Sequence, residues 1–190
     1  SDLEKFQCRL ALVDYFRYVF GIEDVNNPEA VRSFYDALQS QRQGYNTEGR
    51  SYVASVLEGC VRNIQPKDLL RYDENIKRHT EKLNRHRAEP ITLKYFQILA
   101  ALMTEHYLDR FTSDADTFLG ELNAFVQEQN DIRTGYKYLP AFELDDLNKL
   151  AFWMATGSGK TLVMHLNYYQ YLDYASNHPD LQPDNILLVT

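Results

Sequence analysis

The sequence predicts a mainly α-helical protein: an all-helical domain over residues 1–142, followed by the start of an α/β domain, a single βαβ unit over residues 143–190. Three observations carry this prediction. Apolar residues recur at three- and four-residue steps through the first 130 positions, with no strand-like alternation among them. A glycine-rich turn at Met154-Ala155-Thr156-Gly157-Ser158-Gly159-Lys160-Thr161 separates a short apolar run from another helical pattern. A second apolar run, Ile186-Leu187-Leu188-Val189, follows a polar loop.

Each element has its own warrant. Ser1-Asp2-Leu3-Glu4 reads as a capping box, and Leu3, Phe6, Leu10, Val13, Phe16 and Phe20 continue in helical register until Gly21 offers a stop. Asn27 as cap and Pro28 in the first turn open a second helix through Val31, Phe34 and Leu38, ending near Gly44. Residues 43–49 read as a loop. Residues 50–64 form a third helical pattern through Val53, Val56, Leu57 and Cys60, weakened by Gly59. Pro66 opens a longer helix with Leu69, Tyr72, Ile76 and Leu83 on one face, which Pro90 ends. Residues 92–111 follow with Leu93, Phe96, Leu99, Met103 and Tyr107 in register, and residues 113–129 with Phe118, Leu122, Phe125 and Val126.

The pattern lapses over residues 130–140, which read as a connection between domains. Leu150-Ala151-Phe152-Trp153-Met154 is then a continuous apolar run of strand length, and Leu162, Leu166, Tyr169 and Leu172 give residues 160–175 helical spacing. Strand, loop, helix, loop and strand make one right-handed parallel βαβ unit. A buried sheet needs more than two strands, so this domain is expected to continue in a longer polypeptide. The absence of an initial methionine and the apolar ending point the same way.

Composition narrows the function classes. The 190 residues are 44% hydrophobic and 13% aromatic, enough for a sizeable core. A net charge of -7 gives no general attraction to nucleic acid. Two cysteines without a CxxC pair predict neither a disulfide framework nor a thiolate metal site, and fit a reducing cytoplasm. No apolar run approaches the roughly 20 residues that cross a bilayer, and charges through the first twenty positions interrupt any secretory core, so a soluble cytoplasmic protein is expected.

The glycine-rich turn carries the chemistry. A phosphate chain is stabilised where backbone N–H groups converge, where no Cβ blocks approach and where a cation stands close. Gly157 and Gly159 would free the backbone between Thr156 and Ser158 to wrap the β-phosphate, Lys160 would reach the β- and γ-phosphates, and the Thr161 hydroxyl would ligate Mg2+. The helix that starts at Lys160 adds the positive end of its dipole. The strict Walker A (P-loop) pattern has glycine where this chain has Met154.

The segment Met154 to Thr161 resembles motif I of superfamily 2 helicases and translocases, in the methionine-led form common in the motor subunits of type I and type III restriction enzymes and related DEAD/DEAH-like helicases. Residues 185–190 resemble the strand leading into motif Ia. The likeness is specific at the C-terminal end and looser over the helical part, which looks like the N-terminal region of large bacterial helicase-like restriction proteins. It implies a RecA-like ATP-binding domain, ATP and Mg2+ as cofactors, Lys160 and Thr161 as catalytic groups, DNA as partner and association with other subunits of a restriction or defence complex. The acidic motif II, motif III, the arginine-bearing motif VI, the second RecA-like domain and any nuclease domain are not found in these residues. No glutamine lies between Gln129 and Gln170, so the adenine-reading residue of the family has no counterpart just upstream of the loop. In such enzymes the arginine alone is worth about 10³ to 10⁵ in rate. The chain is therefore expected to bind ATP·Mg2+ weakly and not to turn it over.

Other features have two readings each. Residues 67–87 hold seven Lys/Arg against four carboxylates, the most basic stretch of the chain. Lys77, Arg78, Lys82 and Arg85 could follow a phosphate backbone. The alternative is a solvated helix with internal pairs, Asp73 with Lys77 and Glu74 with Arg78. The five histidines show no metal-ligand spacing, and Tyr168, Tyr169, Tyr171 and Tyr174 read as packing residues rather than base-stacking platforms. Two further functional readings stand beside the helicase: a helical protein-interaction module with a vestigial P-loop, and a P-loop ATPase of another type.

Overall fold

The computed structural model describes residues 10–183. The mainly helical expectation holds among them, in α1 (Ala11–Val19), α2 (Pro28–Gln39), α3 (Tyr52–Leu57), α4 (Pro66–Asn84), α5 (Tyr95–Ser113), α6 (Ala115–Ile132) and α7 (Lys160–Ala175), with short 3-10 turns at Gly135–Lys137, Leu144–Asn148 and Pro179–Leu181. The capping box at Ser1-Asp2-Leu3-Glu4 and the second strand of residues 185–190 lie outside the described residues.

Local chemistry explains the helix starts. The Asn27 side chain accepts from the amides of Glu29 at 2.9 Å and Ala30 at 3.4 Å, and Pro28 occupies the first turn, where no donor is missed. Ser51 caps α3 through the Ala54 amide at 3.0 Å, and Asp114 caps α6 through Thr117 at 2.9 Å. The third helix is far shorter than residues 50–64: it ends at Leu57, and the chain then turns so that the Arg62 amide bonds the Val19 carbonyl at 2.6 Å. A tertiary partner there replaces the helical one.

The core is aromatic at its centre. Tyr15 and Phe16 of α1 and Phe20 just after it meet Tyr72 of α4, His106 and Tyr107 of α5, and Phe118 and Phe125 of α6, all buried. Edge-on contacts dominate, as between Tyr107 and Phe118 at 5.3 Å and 82°, and between Tyr15 and Phe125 at 5.7 Å and 77°, which suits the ring quadrupoles. Leu147 and Leu166 belong to the same cluster, so α7 packs on the bundle, most closely along α5 and also against α4.

The connection after α6 is not loose. Asn130 holds the backbone of Leu139 from both sides, by its amide nitrogen at 2.8 Å and its oxygen at 2.7 Å. Asn123 does the same to Phe142, at 3.0 and 2.7 Å. A side-chain amide imitates a backbone peptide in this way, and two such clips run the segment back along α6. Arg133 adds a buried ion pair with Asp14 at 2.9 Å.

The βαβ expectation is corrected for its first strand. Among the described residues no strand forms, and the β pairing present is a single bridge between Tyr45 and Ser51. Residues 150–154 have no strand beside them, and a strand exists only through the hydrogen bonds of its neighbour. Nor is the run continuously buried: Trp153 is 84% exposed. The helix of the unit is present with the expected bounds, Lys160–Ala175. No helix among the described residues is long and apolar enough to cross a membrane.

Candidate functional site

The glycine-rich turn sits at the N-terminus of α7, where a helix leaves its first amides without backbone acceptors. Gly157 has φ of 76° and Gly159 of 85°, a left-handed conformation that a Cβ disfavours. These two reversals curl the loop. The Ser158 amide donates to the Ala155 carbonyl at 3.2 Å, and the Ser158 hydroxyl donates to the same oxygen at 2.6 Å, tightening the bend. Lys160 folds back over the curl, its Nζ donating to the Met154 carbonyl at 3.3 Å. The lysine thus spans the loop from end to end.

What this arrangement can do follows from which donors it leaves over. The described residues offer no backbone acceptor to the amides of Gly157, Gly159, Lys160 and Thr161. Space at Gly157 is open, with nothing within 4 Å of where a Cβ would stand. Several unspent N–H groups, a helix N-terminus and one ammonium group fit an anion carrying several oxygens. Of the predicted residues, Thr156, Gly157, Lys160 and Thr161 are exposed and Ser158 and Gly159 half-buried, so all six lie in one accessible stretch. For Mg2+ the fit is partial: Thr161 supplies one hydroxyl, and none of the residues lining the adjacent cavity is a carboxylate.

That cavity, about 580 Å³, opens beside Lys160 and Thr161. Its walls come from α5 (Tyr107, Phe111), α7 (Met164, Tyr171), Leu147 and the segment before the loop. Leu150, Phe152 and Met154 face it while Ala151 and Trp153 do not, the alternation of an extended chain.

The loop is tied to the bundle by polar contacts that run the length of α7. Gln97 of α5, 5% exposed, donates from Nε2 to the Ser158 carbonyl at 2.9 Å. Farther along, Thr104 donates to Asn167 at 3.3 Å. Fully buried Glu105 then accepts from Gln170 at 2.8 Å, Tyr174 at 2.9 Å and Asn75 of α4 at 3.0 Å. Burial pushes the Glu105 carboxyl up from its ordinary value, against the pull of those three donors and of Arg71. Arg71 in turn bonds Asp109 at 2.8 Å, an acceptor it shares with the Tyr72 hydroxyl at 2.5 Å. His106, one position after Glu105, is buried among rings, and desolvation lowers its imidazole to about 4.

The basic residues of α4 are used largely within the protein. Arg78 pairs with Asp173 of α7, Lys82 lies over the Tyr169 ring at 4.1 Å, and Lys77 lies over Tyr45 at 5.5 Å. The expected pairing of Asp73 with Lys77 gives way, because Asp73 is buried and accepts from the Ser51 amide at 2.7 Å. Glu74 likewise loses Arg78 to Asp173. Lys67 in the first turn, and Arg85 and Arg87 beyond the end of the regular helix, stand exposed apart from these contacts. Of the α7 tyrosines, Tyr169 stacks on His79 at 6.0 Å and Tyr171 donates to the Leu181 carbonyl at 2.6 Å, whereas Tyr168 is 39% exposed.

Gln97 is the site residue that sequence reasoning missed. The search for a glutamine looked along the chain near the loop, whereas Gln97 reaches Ser158 from 61 residues away. A polar residue placed among Phe96, Ile98 and Leu99 was the available signal. Comparison with family models, curated proteins and solved structures gives no match.

Proposed function

We propose that residues 154–161 bind the phosphate chain of ATP·Mg2+, as part of an ATP-dependent DNA helicase or translocase of a bacterial restriction or defence system. The observation that carries the reading is the set of unspent amides at Gly157, Gly159, Lys160 and Thr161, curled under the lysine at the start of α7. In it, Lys160 offsets charge on the outer phosphates, Thr161 gives Mg2+ one oxygen and the glycine amides hold the inner phosphate. Thr156 and Ser158 shape the bend. When bound, Mg2+, to which Thr161 would give one oxygen, would draw off charge from the phosphate chain. The resemblance of Met154 to Thr161 to motif I supports the helicase class, and the alternation of residues 150–154 is compatible with a strand that a longer chain would pair.

DNA contact is assigned to parts of a parent protein rather than to α4, whose Lys77, Arg78 and Lys82 are engaged at home. Arg85 remains available there. Among the described residues, none lining the cavity beside the loop is a carboxylate to orient water or an arginine, which supports nucleotide binding without hydrolysis. Calorimetric titration with ATP·Mg2+ is expected to show one saturable site that Lys160→Ala removes, with no phosphate release above background. Titration without heat or saturation contradicts the reading. The interaction-module alternative draws on exposed Ile132, Tyr136 and Tyr138. It predicts that same null titration.

A further inference from the structure

A single side chain of the helical bundle makes a hydrogen bond to the backbone of the loop. Gln97 stands in the first turn of α5 with both ends of its amide committed: Oε1 accepts from the Lys94 backbone amide at 2.9 Å, and Nε2 donates to the Ser158 carbonyl at 2.9 Å. The first bond fixes which way the carboxamide faces, so the second is made by a preset donor. A Cβ built on Gly159 would come within 2.6 Å of the same Nε2. Gly159 is therefore glycine for two reasons, its φ of 85° and the approach of Gln97.

We propose that Gln97 is a positioning residue for phosphate binding, setting the orientation of the Gly159 amide from the helical bundle. The reason is the geometry of one peptide plane. In a trans peptide the carbonyl and the following N–H point to opposite sides. Anchoring the Ser158 oxygen on Gln97 turns the Gly159 N–H away from α5, toward the side on which Lys160 and the other unspent amides stand. Without that anchor, the Ser158-Gly159 peptide, with Gly159 on its N–H side and Gly157 just before Ser158, is free to flip and take its donor with it. A flexible turn is thereby held ready for an anion before the anion arrives, and the ordering is done by α5.

The anchor is itself well fixed. The α5 and α7 helices are joined behind it by Thr104 with Asn167 and by Glu105 with Gln170 and Tyr174, so movement of one carries the other. This inference rests on the phosphate-binding reading above and adds to it a residue, an atom and a direction.

The test uses two near-isosteric substitutions. Gln97→Met keeps the shape and removes both the Nε2 donor and the Oε1 acceptor of the Lys94 amide; Gln97→Glu keeps the shape and that acceptor and sets a second acceptor against the Ser158 oxygen. Affinity is measured by calorimetry for ATP·Mg2+ and for inorganic tripolyphosphate, which has no base or sugar. Loss of one preset donor and of the order it imposes predicts about a tenfold fall for both ligands in Gln97→Met and a larger one in Gln97→Glu. The melting temperature of the ligand-free Gln97→Met protein is expected to fall by no more than the loss of one helix-capping bond brings, separating positioning from a general structural defect. Wild-type binding with equal affinity in Gln97→Met overturns the role of Gln97 and leaves the loop's function standing. No binding by wild type removes both. Should neither variant fold, the side-chain amide resonances of Gln97 in the wild-type protein decide: they shift on addition of tripolyphosphate if the anchor senses the ligand, and an unchanged pair overturns the proposal.

Discussion

The bundle around His106 and the stretch from Arg133 to Tyr174 are held together by different forces. In the bundle, Tyr15, Phe20, Tyr72, Tyr107 and Phe118 enclose one another, and burial of apolar area stabilises the arrangement. The later stretch shares that burial through Leu147 and Leu166 and is fastened in addition by named polar bonds: two asparagine clips, the Arg133–Asp14 pair, the Glu105 cluster and Gln97. Apolar packing is insensitive to direction, so it can build a globule without aiming any atom. Hydrogen bonds have direction, and the loop that must present donors to a ligand is held by them.

The largest test of that contrast removes a ring from the bundle. Phe118→Ala is expected to cost about 3–5 kcal/mol by urea unfolding, through lost burial and the cavity left behind. A loss under about 1 kcal/mol would mean that the core is not the principal source of stability. Acid titration probes the same place. His106 is lowered from 6.5 to about 4, so its neutral form is favoured in the fold. That contribution is complete above pH 6.5, declines as pH falls and is gone once the folded group itself titrates near pH 4, a change of about 3 kcal/mol. Glu105 and Asp73 work in the opposite sense, since burial raises both and their contribution is present at low pH and lost as pH rises. Comparing wild type with His106→Phe isolates the histidine: the stability difference between them should shift by about 3 kcal/mol from pH 7 to pH 4. An unchanged difference refutes the burial argument.

Smaller effects belong to the later stretch. Gly159→Ala meets an unfavourable φ and displaces Gln97, so it should lower stability by about 1–2 kcal/mol while removing most phosphate affinity. Full affinity in that variant would show that the loop needs neither feature. Lys82→Ala removes a cation from the Tyr169 ring and should lower the melting transition by the equivalent of about 0.5–1 kcal/mol, with DNA affinity unaltered.

The same contrast explains what could be read from the sequence. Helical registers, the Asn27 cap, Pro28 and the bounds of α7 are local, and local signals stand in the order of residues. The glycines of the loop were legible for the same reason, since positive φ at Gly157 and Gly159 is a property of one residue each. The strand at residues 150–154 was not, because an apolar run becomes a strand only beside a partner that no local pattern supplies. Nor was the use of α4: an i,i+4 rule pairs Glu74 with Arg78, and only the fold brings Asp173 closer. Gln97 and Glu105 gave no local sign of their roles, for the partner of Gln97 is Ser158 in the loop and those of Glu105 include Gln170 and Tyr174 on α7, all more than sixty positions on.

The most direct measurement is a spectrum of the chain labelled with 15N at glycine alone, recorded while ATP·Mg2+ is added. The account predicts that, of its eight glycines, Gly157 and Gly159 move together and saturably, while Gly21 and Gly120 in the bundle stay still. If the loop glycines keep their positions at saturating nucleotide, or all eight drift alike, the turn before α7 does not cradle phosphate.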